Sequence, residues 1–122
     1  LLTVSGSLTI TLVLLSAHVG EDSLFPSPDE SGQMPDSWSH HQLKVTNDFA
    51  TKNPIANFIF GGFNHHSFHH LFPKICHIHY TKLTPILIQT AEEFGLQYNS
   101  KKRIYQAILS HFRLLRMRGN KL

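Results

Sequence analysis

Few of the usual crosslinking and charged residues are present in this 122-residue chain. It has one cysteine, one tryptophan and two methionines, and Asp, Glu, Lys and Arg together make up only 16% of it. A lone cysteine, Cys76, excludes an internal disulfide and with it a crosslinked secreted scaffold. The stretch from Leu1 to Val19 holds no Asp, Glu, Lys or Arg at all. It also lacks a basic start and a small-residue cleavage site, which argues against a signal peptide. Without a disulfide framework or such a signal, the remainder of the chain belongs in a reducing compartment. Internal repeats are absent. The basic residues have no framework of base-reading or stacking side chains, which speaks against nucleic-acid binding.

What the chain does have is histidine. Four of its ten histidines, His65, His66, His69 and His70, fall within six positions. On a helix, residues three and four apart share a face, so His66, His69 and His70 line up. Neutral imidazole is a borderline donor that suits iron, zinc and copper, and H-x-x-H-H is therefore a metal-ligand spacing. Phe60, Phe63, Phe68, Leu71 and Phe72 surround it, a dry shell that keeps water from an oxidising metal. Gly61 and Gly62 let the backbone turn into this helix, Asn64 is placed to cap it, and Pro73 ends it. The plain alternative is a surface helix with incidental histidines. The spacing of the imidazoles and their interleaving with aromatic rings favour a ligand role.

The stretch G-G-F-N-H-H-S-F-H-H-L-F-P-K-I-C-H-I-H-Y resembles the third histidine box of membrane fatty acid desaturases, nearest to the acyl-lipid and front-end branch. That branch usually reads Q-x-x-H-H before L-F-P, and His66 stands here in place of the Gln. The resemblance runs from about Ser16 to about Arg116. A complete member is far longer and carries two earlier boxes. Neither H-x-x-x-H nor a second H-x-x-H-H precedes residue 65, so the chain reads as the C-terminal part of a larger enzyme, inactive by itself. The resemblance implies two iron ions held by histidines, a fatty acyl-CoA or acyl-lipid substrate, dioxygen, and an electron donor of cytochrome b-type or ferredoxin kind.

Site residues follow from the same resemblance. S-A-H-V, an acidic residue and F-P is similar to a segment whose histidine is an extra metal ligand, and His18 takes that role. From the residues alone, His18 is either a site residue or a histidine resting at a headgroup boundary. Some branches place Asn or Gln one turn earlier, where Leu14 or Leu15 stands here. The implied ligands are His18, His66, His69 and His70, with the others outside this chain. Trp38, His41, Gln42, Thr46 and Asp48 fit a W-x-x-H-Q and T-T-x-D-F pattern, with Val45 at the first Thr. His41, Asp48, His65 and Asn64 are expected to support the ligands or line the substrate. Asp48 either orients a ligand histidine or serves as a structural cap. His77 and His79 form H-x-H, able to bind metal on an extended segment, but the similar segment of the family lies outside the metal shell.

The expected fold is all-α and membrane-integral. Residues 1–19 form one transmembrane helix, just long enough for the roughly 20 apolar residues a crossing needs. Residues 20–122 form a helical region, cytoplasmic because all eleven Lys and Arg follow Val19. The membrane is a bacterial inner membrane, or the endoplasmic reticulum in a eukaryote. Within this region Glu21 to Asp36 is a loop, and Asn53-Pro54 is a turn. One helix starts at Thr84-Pro85 and stops at Gly95. A last helix, Lys101 to Met117, is capped by Asn99-Ser100. Its ends carry Lys101, Lys102, Arg103, Arg113, Arg116, Arg118 and Lys121. Such a helix lies on an anionic membrane, binds an acidic partner, or packs with its charges solvated. The function implied is a front-end or linoleoyl-type desaturase. A hydroxylase or ketolase of the same superfamily, and a non-enzymatic membrane-anchored zinc protein, stay open beside it.

Overall fold

The computed structural model describes residues 1–120, so Lys121 and the end of the 20–122 region lie outside the described residues. The uncharged opening stretch forms α1 (Leu2–His18), which ends with the Val19 N–H donating to Leu15 O at 2.8 Å. At 1.5 Å per residue this helix is about 25 Å long, below the roughly 30 Å of a bilayer core. Among the described residues no helix is long and apolar enough to cross a membrane. The expected 1–19 helix is present as a helix.

The chain then runs through a loop into α2 (Trp38–Val45), β1 (Asp48–Phe49), α3 (Pro54–Ile59) and α4 (His66–Leu71). A 3-10 turn (His77–His79), α5 (Tyr80–Glu93), β2 (Ser100–Lys101) and α6 (Ile104–Gly119) follow. Asn53 caps α3, its Oδ1 accepting from the N–H groups of Ile55 and Ala56 at 3.0 and 3.2 Å, with Pro54 at the first helical position.

The helical expectation holds in the main, with one short addition. The fold is mainly helical, but β1 and β2 pair in parallel, Asp48 with Ser100 and Phe49 with Lys101. Asp48 N–H donates to Asn99 O, and Ala50 N–H to Lys101 O, each at 2.9 Å. Asn99 and Ser100 thus do not cap the last helix. The Asn99 amide instead donates to the carbonyls of Leu43, Lys44 and Thr46 at 3.4, 3.3 and 3.2 Å, closing the end of α2. The last helix begins later than expected, at Ile104. Its start is fixed by the Arg103 N–H donating to Gln106 Oε1 at 3.0 Å. α5 also departs from expectation, because it begins at Tyr80 and contains Pro85. Proline removes one helical hydrogen bond near the start of α5, and the Thr84 hydroxyl, free of a capping role, serves His65 instead.

The core gathers Val13, Ala17, Phe49, Ala50, Ala56 and Ala107, with Phe60 and Ile104 packed against it. Four alanines let α1, β1, α3 and α6 approach closely. α6 is locked to the end of α1 by polar contacts as well. Glu21 N–H donates to Ser110 Oγ at 2.9 Å, and His111 Nδ1–H donates to Val19 O at 2.8 Å. This packing sets the last residue of α1, His18, beside the start of α4.

Candidate metal centre

The site is built around the entry to α4. Gly61 and Gly62 have φ of 55° and 81°, in the left-handed region that suits glycine. At Gly62 a side chain is excluded twice over, because an added Cβ would lie 2.9 Å from His77 Cβ. The turn closes with the His65 N–H on Gly62 O at 2.9 Å. Asn64 does not cap the helix. It is fully buried, and its amide donates to Asn57 Oδ1 at 2.6 Å, Phe49 O at 3.1 Å and Ala50 O at 3.4 Å. The anchor of α4 is Asp48, whose Oδ1 accepts from the Ser67 N–H at 2.7 Å. Its Oδ2 accepts a short hydrogen bond from the Tyr98 hydroxyl. Asp48 is completely buried, and burial pushes its carboxyl up to about 6 despite these donors. It holds the helix start and is hydrogen-bonded to no histidine side chain.

Three imidazoles converge above this base. His66 Nε2 lies 2.8 Å from His18 Nε2 and 3.0 Å from His70 Nε2. The three donor atoms all fall within 4.8 Å of one another. His66 is 2% exposed, and burial first, then the neighbouring His18, His70 and His69, lower its pKa to about 3. Burial, followed by the same kind of neighbours, lowers His70 too. Both are therefore neutral at physiological pH, the state that metal ligation requires. His70 Nδ1–H donates to Gln42 Oε1 at 2.8 Å, which leaves the lone pair on Nε2 facing the other two rings.

A metal ion fits this arrangement. A ring nitrogen has a single in-plane position, either a lone pair or an N–H, yet two nitrogens crowd His66 Nε2. They cannot both be satisfied by hydrogen bonds, whereas one cation accepts all three lone pairs. Imidazole–metal bonds of 2.0–2.1 Å at near right angles set two nitrogens about 2.9 Å apart, close to the two separations seen here. Three imidazoles suit iron, zinc or copper.

The remaining expected residues take other places. His69 stands outside the group of three. Its ring lies 5.9 Å from that of His66 and 5.1 Å from Phe63, and its Nδ1 is 3.2 Å from the Tyr80 hydroxyl. There it borders a cavity of about 220 Å³ shared with Cys76 and His77. His65 is 1% exposed and uses both ring nitrogens. Nε2–H donates to Asn57 Oδ1 at 3.2 Å, and Nδ1 accepts from the Thr84 hydroxyl at 2.7 Å. Burial lowers its pKa to about 4. His41 lies on α2, with a buried Nδ1 that has no hydrogen-bond partner among the described residues. His77 and His79 are exposed on the 3-10 turn and do not form an extended H-x-H.

Gln42, Thr84, Asn57 and Tyr98 were not singled out by sequence reasoning as supports of the site. Gln42 was within reach of it, since it stands in the W-x-x-H-Q pattern beside the histidine that drew attention. The other three come from distant segments, and no spacing rule joins them to the histidines.

A mainly helical protein with three mutually adjacent histidines, one buried and two half-buried, belongs among proteins whose imidazole-lined site can hold a metal ion. The family model for fatty acid desaturase matches residues 1–102, and the chain belongs to that family. It is 42% identical over 113 residues to an sn-1 linoleoyl-lipid 6-desaturase of Synechocystis, covering 92% of this chain and 32% of that protein. An acyl-lipid (8-3)-desaturase of Physcomitrium patens is 36% identical, covering 84% of this chain and 21% of that one. Delta(5) fatty acid desaturase A of Dictyostelium discoideum is 35% identical, covering 91% and 25%. The chain thus spans a third or less of the length of these relatives. No solved structure matches it.

Proposed function

We propose that this chain is part of a membrane fatty acid desaturase that introduces a double bond into a fatty acyl chain with consumption of dioxygen. The observation that carries this reading is the convergence of the His18, His66 and His70 Nε2 atoms in a chain of the desaturase family. Two iron ions, when bound, supply the oxygen chemistry that breaks two unactivated C–H bonds, with two electrons from a carrier of cytochrome b-type or ferredoxin kind.

The chain's own residues prepare that site. His18, His66 and His70 hold one ion through neutral imidazoles, and Gln42 keeps His70 in the ligating tautomer. His69 serves the second ion, together with ligands outside this chain. Asp48 and Asn64 fix the start of α4, and His65 braces α4 against α5. His41 lies against the site from α2 as a support. An apolar cleft of about 260 Å³ runs between α1 and α3, past Ile10, Leu14 and Ile59 to Phe63, which packs on His69. A cleft of that character suits an acyl chain and excludes water. The substrate class is an acyl-lipid, as in the names of the Synechocystis and Physcomitrium relatives. α1 lies within the membrane as one helix of a larger bundle, with the rest of the chain on the cytoplasmic side. By itself the chain is inactive, since it holds only some of the ligands.

The test is expression of the whole gene in cells fed with fatty acids, followed by gas chromatography with double-bond localisation. A new unsaturated product that disappears in His66→Ala is expected. A hydroxylated product moves the protein to the hydroxylases of the same superfamily. Well-expressed, iron-loaded protein with no oxygen-dependent product overturns the enzyme reading and leaves a metal-binding protein.

A further inference from the structure

α6 wears its apolar side outward. The face it buries carries Ala107, Ser110 and Leu114. On the opposite side Tyr105, Leu109, Phe112 and Leu115 are 52%, 45%, 60% and 50% exposed. Tyr105, Leu109, Phe112 and Arg116 recur at helical spacing, so they form one stripe. A helix on a water-facing surface carries polar groups there.

The charges around the stripe are of one sign. Ile104 to Gly119 contains no Asp or Glu, and it carries Arg113, Arg116 and Arg118, with Lys102 and Arg103 just before it. Arg113 reaches Glu21 at 3.3 Å, whereas Arg116 and Arg118 have no ion pair among the described residues. Phe25, 52% exposed under the Arg118 guanidinium, extends the patch. Position adds a second argument. α6 packs on the end of α1, where the uncharged stretch gives way to Glu21 and Asp22. An apolar face ringed by arginines at such a boundary matches a surface with hydrocarbon beneath and anions above.

We infer that α6 lies in the interface of an anionic lipid leaflet, with Tyr105, Leu109, Phe112 and Leu115 among the acyl chains and Arg116 and Arg118 at the lipid phosphates. The inference rests on the membrane placement of α1 proposed above. An acidic protein partner fits less well, because it would have to cover four large apolar side chains as well as the arginines.

The experiment uses the full-length protein in nanodiscs, in a cysteine-free background. Spin labels are placed singly through Tyr105→Cys, Phe112→Cys, Leu8→Cys on α1, and Ser31→Cys in the exposed loop. Collisional accessibility to oxygen, which concentrates in lipid, is compared with that to a water-soluble nickel chelate. At 105 and 112 the oxygen-to-nickel ratio is expected severalfold above that at 31. It should fall when anionic lipid is replaced by zwitterionic lipid, and also in Arg116→Gln combined with Arg118→Gln. Low access to both reagents means that the rest of the protein covers the face, and overturns the inference. A nickel accessibility equal to that at 31 places the face in water or at a soluble acidic partner, and also overturns it. A ratio indifferent to lipid charge overturns the anionic assignment. If label 8 is also open to nickel, the membrane reading of α1 fails; if label 8 is shielded and 112 is not, only the α6 inference fails.

Discussion

Gln42 decides what His70 can do. An imidazole ligates through one nitrogen only when the other carries its proton, and the 2.8 Å hydrogen bond to Gln42 Oε1 keeps that proton on Nδ1. A carboxylate at the same place would do this too, but would bring a charge beside imidazoles that ligate only when neutral. Gln42→Ala should therefore weaken metal binding by about 10–100-fold, the usual range for losing such a support. Gln42→Glu, which keeps the acceptor, should hold metal at least as well as the native residue. Chelator competition on the purified protein reads both, and equal affinity for Gln42→Ala and the native protein would remove Gln42 from the site. His66 is the residue with most at stake, since its Nε2 faces both partners and its Nδ1 is buried with no hydrogen-bond partner among the described residues.

At the scale of the element, the entry to α4 is the part with least freedom. Gly62 combines a φ of 81° with a contact of 2.9 Å between a would-be Cβ and His77 Cβ, while at Gly61, with φ of 55°, a Cβ meets nothing within 4 Å. Gly62→Ala should cost about 1–3 kcal/mol of stability, and Gly61→Ala less, as read by urea unfolding. The larger loss at 62 comes from pushing the 3-10 turn, and with it Tyr80, away from His69. Equal losses would mean that only the backbone angle matters. These elements also differ in how far the sequence discloses them. The glycine pair and the histidine spacing read directly as a turn into a helix, because both depend on neighbours in the chain. The same local reading placed Asn64 as a cap and started a helix at Thr84-Pro85. Both failed for one reason: each polar side chain found a distant partner, Asn57 and the strand carbonyls for Asn64, His65 for Thr84. The β1–β2 pair is too short to leave an alternation pattern, so nothing in the sequence announced it. His18 and His66 are separated by 48 residues, and only the family resemblance connected them beforehand.

For the molecule as a whole, buried titratable groups set how stability responds to acid. Burial holds the folded pKa values of His65 and His66 at about 4 and about 3, below the ordinary 6.5 of a histidine. Between those values and 6.5 the unfolded chain takes up protons that the folded one refuses, so each histidine removes stability as pH falls. Asp48 opposes them. Its folded pKa of about 6 lies above 3.8, so the folded chain gains the proton first and stability rises as pH falls through that window. Each such shift amounts to a few kcal/mol at about 1.4 kcal/mol per unit, so Asp48 offsets roughly one histidine and the other remains. The metal-free protein should therefore lose thermal stability from pH 6.5 to pH 4, and calorimetry across that range checks the sign. A melting temperature that rises on acidification would contradict the burial of these imidazoles. The parallel pairing of Asp48 with Ser100 has a consequence in time as well as in space. A ribosome delivers every histidine of the centre before it delivers Tyr98 to Lys101, the segment that holds Asp48 and through it the start of α4. A nascent chain at that stage owns all the imidazoles without their aim, and the site is completed only when its last anchor emerges.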